Sequence, residues 1–301
     1  MSRPLTSYGP LLVVALSEAS IGVFVKLVGD HIPVYTLNFY RVFFAAIFLM
    51  VAMPFIQKDV WTFPTRNLRD IIVVGVLIAS QISLFNIAMT LAPIANVVIF
   101  WSVAPFFVFI FSAIFLDEEP RWTHVLIFLI AMGGVYLAKP LAGGHALGNL
   151  IALGDGAIYA ALVTYIRKEE KTETRNDTLW FMLAATVILL PIALVVGPGD
   201  VTALNYGVPV LVWAIGLGVI STGMAYFCIG LALENVNANV YSLADIVTSP
   251  VLAALFGFLV FHEVPSPNMI YGGALLLASG FWLSILMGRR DEVRHRSQSP
   301  K

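Results

Sequence analysis

Ala95-Asn96-Val97, Pro105 and Glu118-Glu119-Pro120 recur later in the sequence as Ala238-Asn239-Val240, Pro250 and Glu263-Val264-Pro265. In both copies the first glutamate lies thirteen residues after the first proline. The second proline lies fifteen residues after the first proline. The second copy has two additional residues between its asparagine and its first proline. A pattern that repeats over so many positions indicates an internal duplication. The two halves of the chain are therefore expected to share one architecture.

The composition indicates the environment of the two copies. Of the 301 residues, 59% are hydrophobic and 12% are charged, whereas soluble domains have roughly 45–50% apolar and 25% charged residues. Ten apolar stretches, each long enough to cross a hydrocarbon layer of about 30 Å, lie near residues 8–29, 33–56, 69–91, 94–116, 121–139, 146–167, 176–196, 207–232, 236–261 and 267–287. We predict an all-α integral membrane protein with ten transmembrane helices and no separate soluble domain.

The duplication and the ten spans together predict an inverted repeat. Each copy, residues 8–139 and residues 146–287, contains five predicted spans, so the second copy must enter the membrane in the opposite sense from the first. Residues 288–301 are polar and charged, and we predict a disordered cytoplasmic tail there. Two inverted five-helix repeats form the framework of many secondary transporters, whose sites lie between the repeats near the bilayer midplane.

The distribution of basic residues predicts the orientation. With the N-terminus in the cytoplasm, fourteen Lys and Arg residues fall on the inner side: Arg3, Lys58, Arg66, Arg69, Arg121, Arg167, Lys168, Lys171, Arg175, Arg289, Arg290, Arg294, Arg296 and Lys301. Lys139 alone falls on the outer side, and Lys26 and Arg41 lie within predicted spans. The positive-inside rule then predicts cytoplasmic N- and C-termini in a bacterial inner membrane.

From about Tyr8 to Met287, the chain resembles the drug/metabolite transporter superfamily, specifically its EamA-type ten-helix exporters. The resemblance is carried by Lys26, the Asn38-Phe39-Tyr40-Arg41 run, the repeated pattern quoted above, and the stretch from Gly148-Asn149-Leu150 to Arg167-Lys168. Within the superfamily, the chain is most similar to exporters of aromatic amino acids.

The resemblance implies a secondary transporter that exports small metabolites, above all aromatic and other neutral amino acids, by alternating access. Its expected partners are a small-molecule substrate and the lipid bilayer, with no nucleic acid, no cofactor and a monomer as the expected unit. A polyamine, a nucleotide-like compound or a lipophilic cation is the alternative substrate within the same superfamily.

Charged groups inside the bilayer are costly and need a partner or a water-filled cavity. Glu18 and Lys26 lie on one face of the first span, where they could bind the charged ends of a zwitterion; an ion pair between Glu18 and Arg41 is the structural alternative. Arg41 suits a substrate carboxylate and equally the carbonyls of a broken helix. Asp155, flanked by glycines, is read as a hydrogen-bond partner at a close helix contact.

Other candidates are polar or aromatic. The ninth span carries Tyr241, Asp245 and Thr248 on one face, which would point into a cavity or against a neighbouring helix. We therefore predict that the substrate-binding residues are Trp101, Glu18, Asp245, Tyr241, Gln81, Asn86, Arg41, Tyr159 and Tyr226, with Trp101 closest to the middle of its span. Apart from the proline regions no span shows a central break for a sodium site, so no obligatory ion is expected. Glu18 and Asp245 leave proton coupling open as the alternative, because burial can raise the pKa of a carboxyl group toward neutrality. Glu118 and Glu263 are read as capping or pairing residues at loops.

An intramembrane enzyme is the alternative class of protein, and the sequence contains no set of residues typical of a catalytic site. His262-Glu263 lacks a second histidine four residues later, which removes the zinc-protease helix motif. The single cysteine, Cys228, has no histidine in its span and excludes an internal disulfide or a Cys-based metal site. We expect no catalytic or metal site. A channel is the closer competitor, and saturation with counterflow would separate it from a carrier.

Overall fold

The computed structural model of the chain describes residues 4–57, 60–61, 68–116, 122–139, 141, 144–169, 177–235 and 238–298. Side chains are described within these ranges except at 4–8, 169, 233–235, 238–247, 284 and 287–298. Glu118 and part of the basic inner-side set, including Arg3, Lys58, Arg66 and Arg121, lie outside the described residues.

The described chain is mostly helical. Its first half, up to Lys139, contains α1 (Pro4–Ala19), α2 (Ile21–Val28), a 3-10 turn (Gly29–His31), α3 (Val34–Ala52), a second 3-10 turn (Met53–Phe55), α4 (Leu68–Leu91), α5 (Ile94–Trp101), α6 (Ala104–Phe115) and α7 (Trp122–Ala138). The second half contains α8 (Ala146–Glu169), α9 (Asp177–Val196), β1 (Leu204–Asn205), β2 (Val208–Pro209), α10 (Val210–Gly216), a π-helical segment (Leu217–Gly223), α11 (Met224–Asn235), α12 (Ala238–Phe261) and α13 (Pro267–Gln298).

Within the described residues, seven helical segments are long and apolar enough to cross a membrane. They are Gly9–His31, Val34–Phe55, Leu68–Leu91, Ile94–Phe115, Ala146–Lys168, Asp177–Val196 and Val210–Ala232. Two further apolar helices, Trp122–Ala138 and Thr248–Phe261, are shorter. The chain thus has the helices of a multi-pass membrane protein. The number of ten spans and their inverted arrangement remain predictions.

Among the described residues, three helical spans are interrupted or distorted near their middles. A turn at Ser20 separates α1 from α2, a turn at Ser102 and Val103 separates α5 from α6, and the π-helical segment separates α10 from α11. The expectation of no central break outside the proline regions is therefore wrong at Ser20 and in the π-helical segment. By contrast, α12 continues through Pro250. The tail also differs from its prediction, because α13 remains helical to Gln298; arginine, glutamate and glutamine are good helix formers.

Packing between the halves is extensive. In the first half, α4 packs against α8 and α9 and α3 packs against α9, while α1 packs against α11 and α12 and α7 packs against α13. The distorted span requires a small residue at its contact with α3. A Cβ built on Gly218 would lie 2.8 Å from the Arg41 carbonyl oxygen, which is too close for a side chain. The two halves therefore enclose a shared interior.

Candidate substrate cavity

The shared interior contains a cavity of about 270 Å³. Its walls come from both halves: Glu18, Ile21, Arg41, Gln81, Phe85, Val98 and Trp101 from the first, and Tyr159, Leu162, Val163, Ile166, Ser221, Thr222, Ala225, Tyr226, Ile229, Ser249, Pro250 and Ala253 from the second. The lining is mainly apolar with a few polar groups, which is the usual character of a small-molecule site.

The structure brings six of the nine predicted binding residues to this cavity: Glu18, Arg41, Gln81, Trp101, Tyr159 and Tyr226. Asn86 is fully buried and does not line the cavity, so its expected position at the substrate is not observed. The side chains of Tyr241 and Asp245 lie outside the described residues. Substrate contact by any of the nine remains a prediction.

Three aromatic rings form one side of the cavity. The ring centroids of Trp101 and Tyr159 are 5.2 Å apart at an interplanar angle of 60°, and Phe85 meets Trp101 edge-on at 6.1 Å and 80°. Such offset and edge contacts are the favourable geometries of aromatic pairs. The buried Trp101 Nε1 has no hydrogen-bond partner within the described part of the chain. The three rings therefore present a preformed surface on which a flat apolar group can stack.

Arg41 is buried at 5% exposure and is held by side chains from both halves. Its Nε donates to Thr222 Oγ1 at 2.9 Å and its Nη1 donates to Asn86 Oδ1 at 2.7 Å. Asn86 Nδ2 in turn donates to Asn38 Oδ1 at 2.8 Å, and the Thr222 hydroxyl donates to the Leu217 carbonyl oxygen at 3.1 Å. Asn86 is buried for this reason, because its amide supports the guanidinium. Nη2 makes no hydrogen bond to a described residue.

Glu18 supplies the negative charge of the cavity wall. Its Oε2 accepts a hydrogen bond from Ser249 Oγ at 3.1 Å, which joins α1 to α12. At the neighbouring break, the hydroxyl oxygens of Ser20 and Ser221 lie 2.6 Å apart, and Ser20 Oγ also donates to the Ser17 carbonyl oxygen. The interruption of the first span is thus held by polar contacts with the second half.

Asp155 is fully buried behind the cavity wall. Gln81, which lines the cavity, donates from Nε2 to Asp155 Oδ2 at 3.3 Å. The other carboxylate oxygen, Oδ1, has no hydrogen-bond partner among the described residues. The predicted close helix contact is present on one side, since a Cβ on Gly156 would lie 3.1 Å from the Trp101 carbonyl oxygen. Gly154 has nothing within 4 Å of the same position.

An ion pair joins the two halves where α5 begins, about one helical turn before the cavity residue Val98. Lys26 Nζ and Glu263 Oε1 are in direct contact, with side-chain exposures of 22% and 16%. Glu263 Oε2 also accepts the Ile94 backbone N–H at 2.8 Å, at the first residue of α5. The predicted capping or pairing role of Glu263 is therefore confirmed in both respects. The Lys26 ammonium also lies 5.8 Å from the centre of the Phe261 ring.

The loop between α9 and α10 covers the same end of the bundle. Asn205 Nδ2 donates to the Leu27 carbonyl oxygen at 2.7 Å, and the Asp200 backbone N–H donates to the His31 carbonyl oxygen at 2.8 Å. The Thr202 hydroxyl and nearby backbone N–H groups hydrogen-bond the Asp200 carboxylate and lower its pKa below the usual range. Gly199 fits here because its φ is +71° and a Cβ would lie 2.6 Å from the His31 carbonyl oxygen.

The opposite end of the cavity reaches further along the helices. Ile166 lies in the last turn of α8, and Ile229 lies in the second half of α11. Both helices run away from the end of the bundle where Lys26 and Glu263 are paired. The cavity therefore extends from the middle of the bundle toward the end where α8 stops and α9 starts.

Thr222 is a cavity residue that the sequence analysis did not select. The run Ser221-Thr222-Gly223 inside an apolar span was an available signal, because small and polar residues mark close helix contacts in membranes. Among the residues described, no group of three His, Cys, Asp or Glu side chains is placed to hold a metal ion.

Comparison with known proteins identifies the family. The model of the EamA-like transporter family matches residues 7–139 and again residues 146–285. The pseudopaline exporter CntI of Pseudomonas aeruginosa is 24% identical over 71% of this chain and 74% of its own length. The probable terminal-alkyne amino-acid exporter of Streptantibioticus cattleyicolor is 25% identical over 77% of each chain. The S-adenosylmethionine uptake transporter of Rickettsia conorii is 23% identical over 98% of this chain and 97% of its own.

The fold is also shared with a solved protein. A crystal structure aligns with 97% of this chain and 100% of its own at a TM-score of 0.64 and 18% identity. Because the family model covers most of the sequence and the relatives carry transporter names, the chain is a membrane transporter of small molecules rather than an enzyme. It belongs to the EamA-like transporter family of the drug/metabolite transporter superfamily.

Proposed function

We propose that the protein exports aromatic and other neutral amino acids by alternating access, with the cavity as its substrate site. The observation that carries the proposal is the combination of an aromatic wall with both signs of charge in one enclosed space. Trp101 and Tyr159 offer a surface for a side-chain ring. Arg41 offers a donor for a carboxylate, and Glu18 offers an acceptor for an ammonium group.

The size of the cavity supports a small substrate. A volume of about 270 Å³ lies just below the range of roughly 300–1,000 Å³ typical of drug-sized ligand pockets. An amino acid therefore fits more readily than a nucleotide sugar or a riboflavin-sized compound. A relative named as an amino-acid exporter supports the same class, although another relative is named for uptake of S-adenosylmethionine.

The ion pair between the halves supports the proposed mechanism, in which it closes one end of the cavity. Lys26 in the first half and Glu263 in the second half are joined at one end, and the cavity extends toward the other. With the predicted cytoplasmic termini, the closed end faces outward and the cavity faces the cytoplasm. Export then proceeds by loading from the cytoplasm, rearrangement of the two halves, and opening at Lys26 and Glu263.

We also propose the 5+5 inverted repeat, with repeats at 8–139 and 146–287. Two matches of one family model with nearly these limits support it. The packing supports it too, because several contacts between the halves have a counterpart when the halves are exchanged: α4 with α8 corresponds to the π-distorted span with α1. The bacterial inner membrane and the monomer complete the proposal.

The decisive experiment is transport in liposomes. The purified protein is reconstituted in liposomes, and each batch is loaded with one unlabelled compound. Entry of the same compound in labelled form is then measured for several amino acids, a polyamine, a nucleotide sugar and a lipophilic cation. The proposal expects saturable counterflow of phenylalanine and other neutral amino acids without an imposed ion gradient. Counterflow of the polyamine or lipophilic cation alone would replace the amino acid with that substrate, and flux without saturation or counterflow would indicate a channel.

A further inference from the structure

We infer that Asp155 is a positioning residue that sets the ammonium side of the substrate site by fixing the amide of Gln81. The inference rests on the proposed function and adds a specificity-determining pair to it. Gln81 lies on α4 in the first half and Asp155 lies on α8 in the second half. The pair therefore joins the two halves directly behind the cavity wall.

The hydrogen bond determines which atom of Gln81 faces the ligand. Its Nε2 donates to Asp155 Oδ2 at 3.3 Å, and Asp155 lies behind the cavity wall rather than in it. The amide nitrogen is therefore directed away from the cavity, toward the buried acid. Gln81 Oε1, on the same planar amide, has no hydrogen bond to a described residue and is left as an acceptor for the cavity.

An acceptor at this position complements Arg41. The guanidinium presents Nη2, which can donate to a carboxylate, whereas Gln81 Oε1 and the Glu18 carboxylate can only accept. A substrate with an ammonium group and a carboxylate on one carbon satisfies both sides. A compound that lacks its ammonium group leaves the Gln81 oxygen without a partner.

Asp155 cannot contact a substrate in the cavity directly, because the residue is fully buried and does not line the cavity. It acts through Gln81. Its second oxygen, Oδ1, lacks a partner among the described residues, so Asp155 is retained at the cost of an unsatisfied buried acceptor. A residue needed only for packing would not require that cost.

The test uses two analogues of phenylalanine in the liposome assay. Phenylpropionate lacks the ammonium group and phenethylamine lacks the carboxylate, and each competes with labelled phenylalanine. Asp155→Leu removes the acceptor for Gln81 Nε2, whereas Asp155→Asn keeps one through its amide oxygen. Thr164→Val, at another buried polar residue of α8 whose hydroxyl has no partner within the described residues, is the matched control.

In Asp155→Leu we expect the preference for phenylalanine over phenylpropionate to fall about tenfold, the loss of one hydrogen bond to a charged group. The preference for phenylalanine over phenethylamine should not change, because both compounds carry the ammonium group. Asp155→Asn and Thr164→Val should keep both preferences. An equal fall in Asp155→Asn would overturn the positioning role in favour of the charge itself, and unchanged preferences in Asp155→Leu would overturn it outright.

Should Asp155→Leu not accumulate in the membrane, Gln81→Met carries the same test because it removes the amide oxygen directly. Where Asp155→Leu does accumulate, the double variant Asp155→Leu with Gln81→Met should lose no more of the preference than Gln81→Met alone if Asp155 acts through Gln81. Losses that add in the double variant would contradict the positioning role. A wild-type protein that transports no aromatic amino acid contradicts the proposed function. A wild-type protein that does so, with unchanged preferences in these variants, contradicts this inference alone.

Discussion

Lys26 and Glu263, 237 residues apart in the sequence, form an ion pair that joins the first transmembrane span of one half to the loop after α12 in the other. The same glutamate accepts the backbone N–H of Ile94 at the start of α5. A carboxylate at a helix N-terminus is stabilised by the unpaired N–H groups there. The Glu263 side chain therefore connects three elements at this end of the bundle.

Removing the charge of Glu263 should loosen this closed end. Glu263→Gln keeps an oxygen for the Ile94 N–H but loses the ion pair with Lys26. Both side chains are more than three-quarters buried, so loss of the ion pair is expected to destabilise the closed conformation by about 1 kcal/mol, the upper end for a partly exposed pair. The ratio of closed to open protein should then fall roughly fivefold. The measurement is labelling of Ile21→Cys in a Cys228→Ser background by a membrane-impermeant maleimide added from outside.

Labelling should be about fivefold faster in Glu263→Gln than in its parent. Lys26→Met should behave in the same way, and the exchanged pair Lys26→Glu with Glu263→Lys should return the rate toward that of the parent. Equal labelling rates in all four proteins would show that the ion pair does not hold this end closed.

Two glycines on either side of Asp155 should respond in opposite ways to alanine. A Cβ on Gly156 meets the Trp101 carbonyl oxygen at 3.1 Å and the Ala104 backbone nitrogen at 3.4 Å, whereas Gly154 has open space. Gly156→Ala should lower stability by about 1–3 kcal/mol through overpacking against backbone. Gly154→Ala should be neutral or stabilising by up to about 1 kcal/mol, the helix propensity difference.

Thermal unfolding in detergent, followed by tryptophan fluorescence, measures both changes. Gly154→Ala is the matched control, because it adds the same methyl group to the same helix two residues away. A loss of equal size in both variants would mean that the contact with Trp101 does not limit the packing of α8.

Hydrophobic length was the part of the fold most readable from sequence. The predicted span 69–91 corresponds to the helix Leu68–Leu91, and the predicted span 176–196 to Asp177–Val196. These limits could be predicted because they follow from the apolar runs themselves. Hydrophobic length does not predict the end of α13, because the residues after 287 are polar and yet remain helical to Gln298.

The interior contacts could not be read in this way. The break at Ser20 is held by Ser221, 201 residues away, and no local signal such as a proline marks it. Asn86 was selected for its polarity, but polarity does not reveal that its partners are Arg41 and Asn38 rather than a ligand. Lys26 and Glu263 were both noticed, whereas their pairing depends on how the halves pack.

Both termini are expected on the cytoplasmic side, because fourteen basic residues fall on that side and one on the other. Alkaline phosphatase fused after the last residue should therefore be inactive, and a fluorescent protein at the same position should fold. The same phosphatase inserted after Lys139, on the predicted outer side, should be active. An active C-terminal fusion together with an inactive insertion at Lys139 would reverse the orientation, and the proposed export direction with it.

Replacing Trp101 should weaken aromatic substrates selectively. Its ring contacts Tyr159 and Phe85 and lines the cavity, so Trp101→Ala removes the central member of the aromatic wall. If a substrate ring stacks there, transport of phenylalanine should lose about 0.5–1.5 kcal/mol of stacking free energy, or roughly two- to twelvefold in apparent affinity. Transport of threonine, which has no ring, should change much less.

The comparison must separate stacking from folding, because Trp101→Ala also leaves a void between Tyr159 and Phe85. Transport is therefore normalised to the amount of folded protein in the membrane. Trp122→Ala is the control for loss of a tryptophan away from the cavity, since that side chain is 88% exposed, and it should affect neither substrate. Equal normalised losses for phenylalanine and threonine in Trp101→Ala would mean that the ring packs the helices without contacting the substrate.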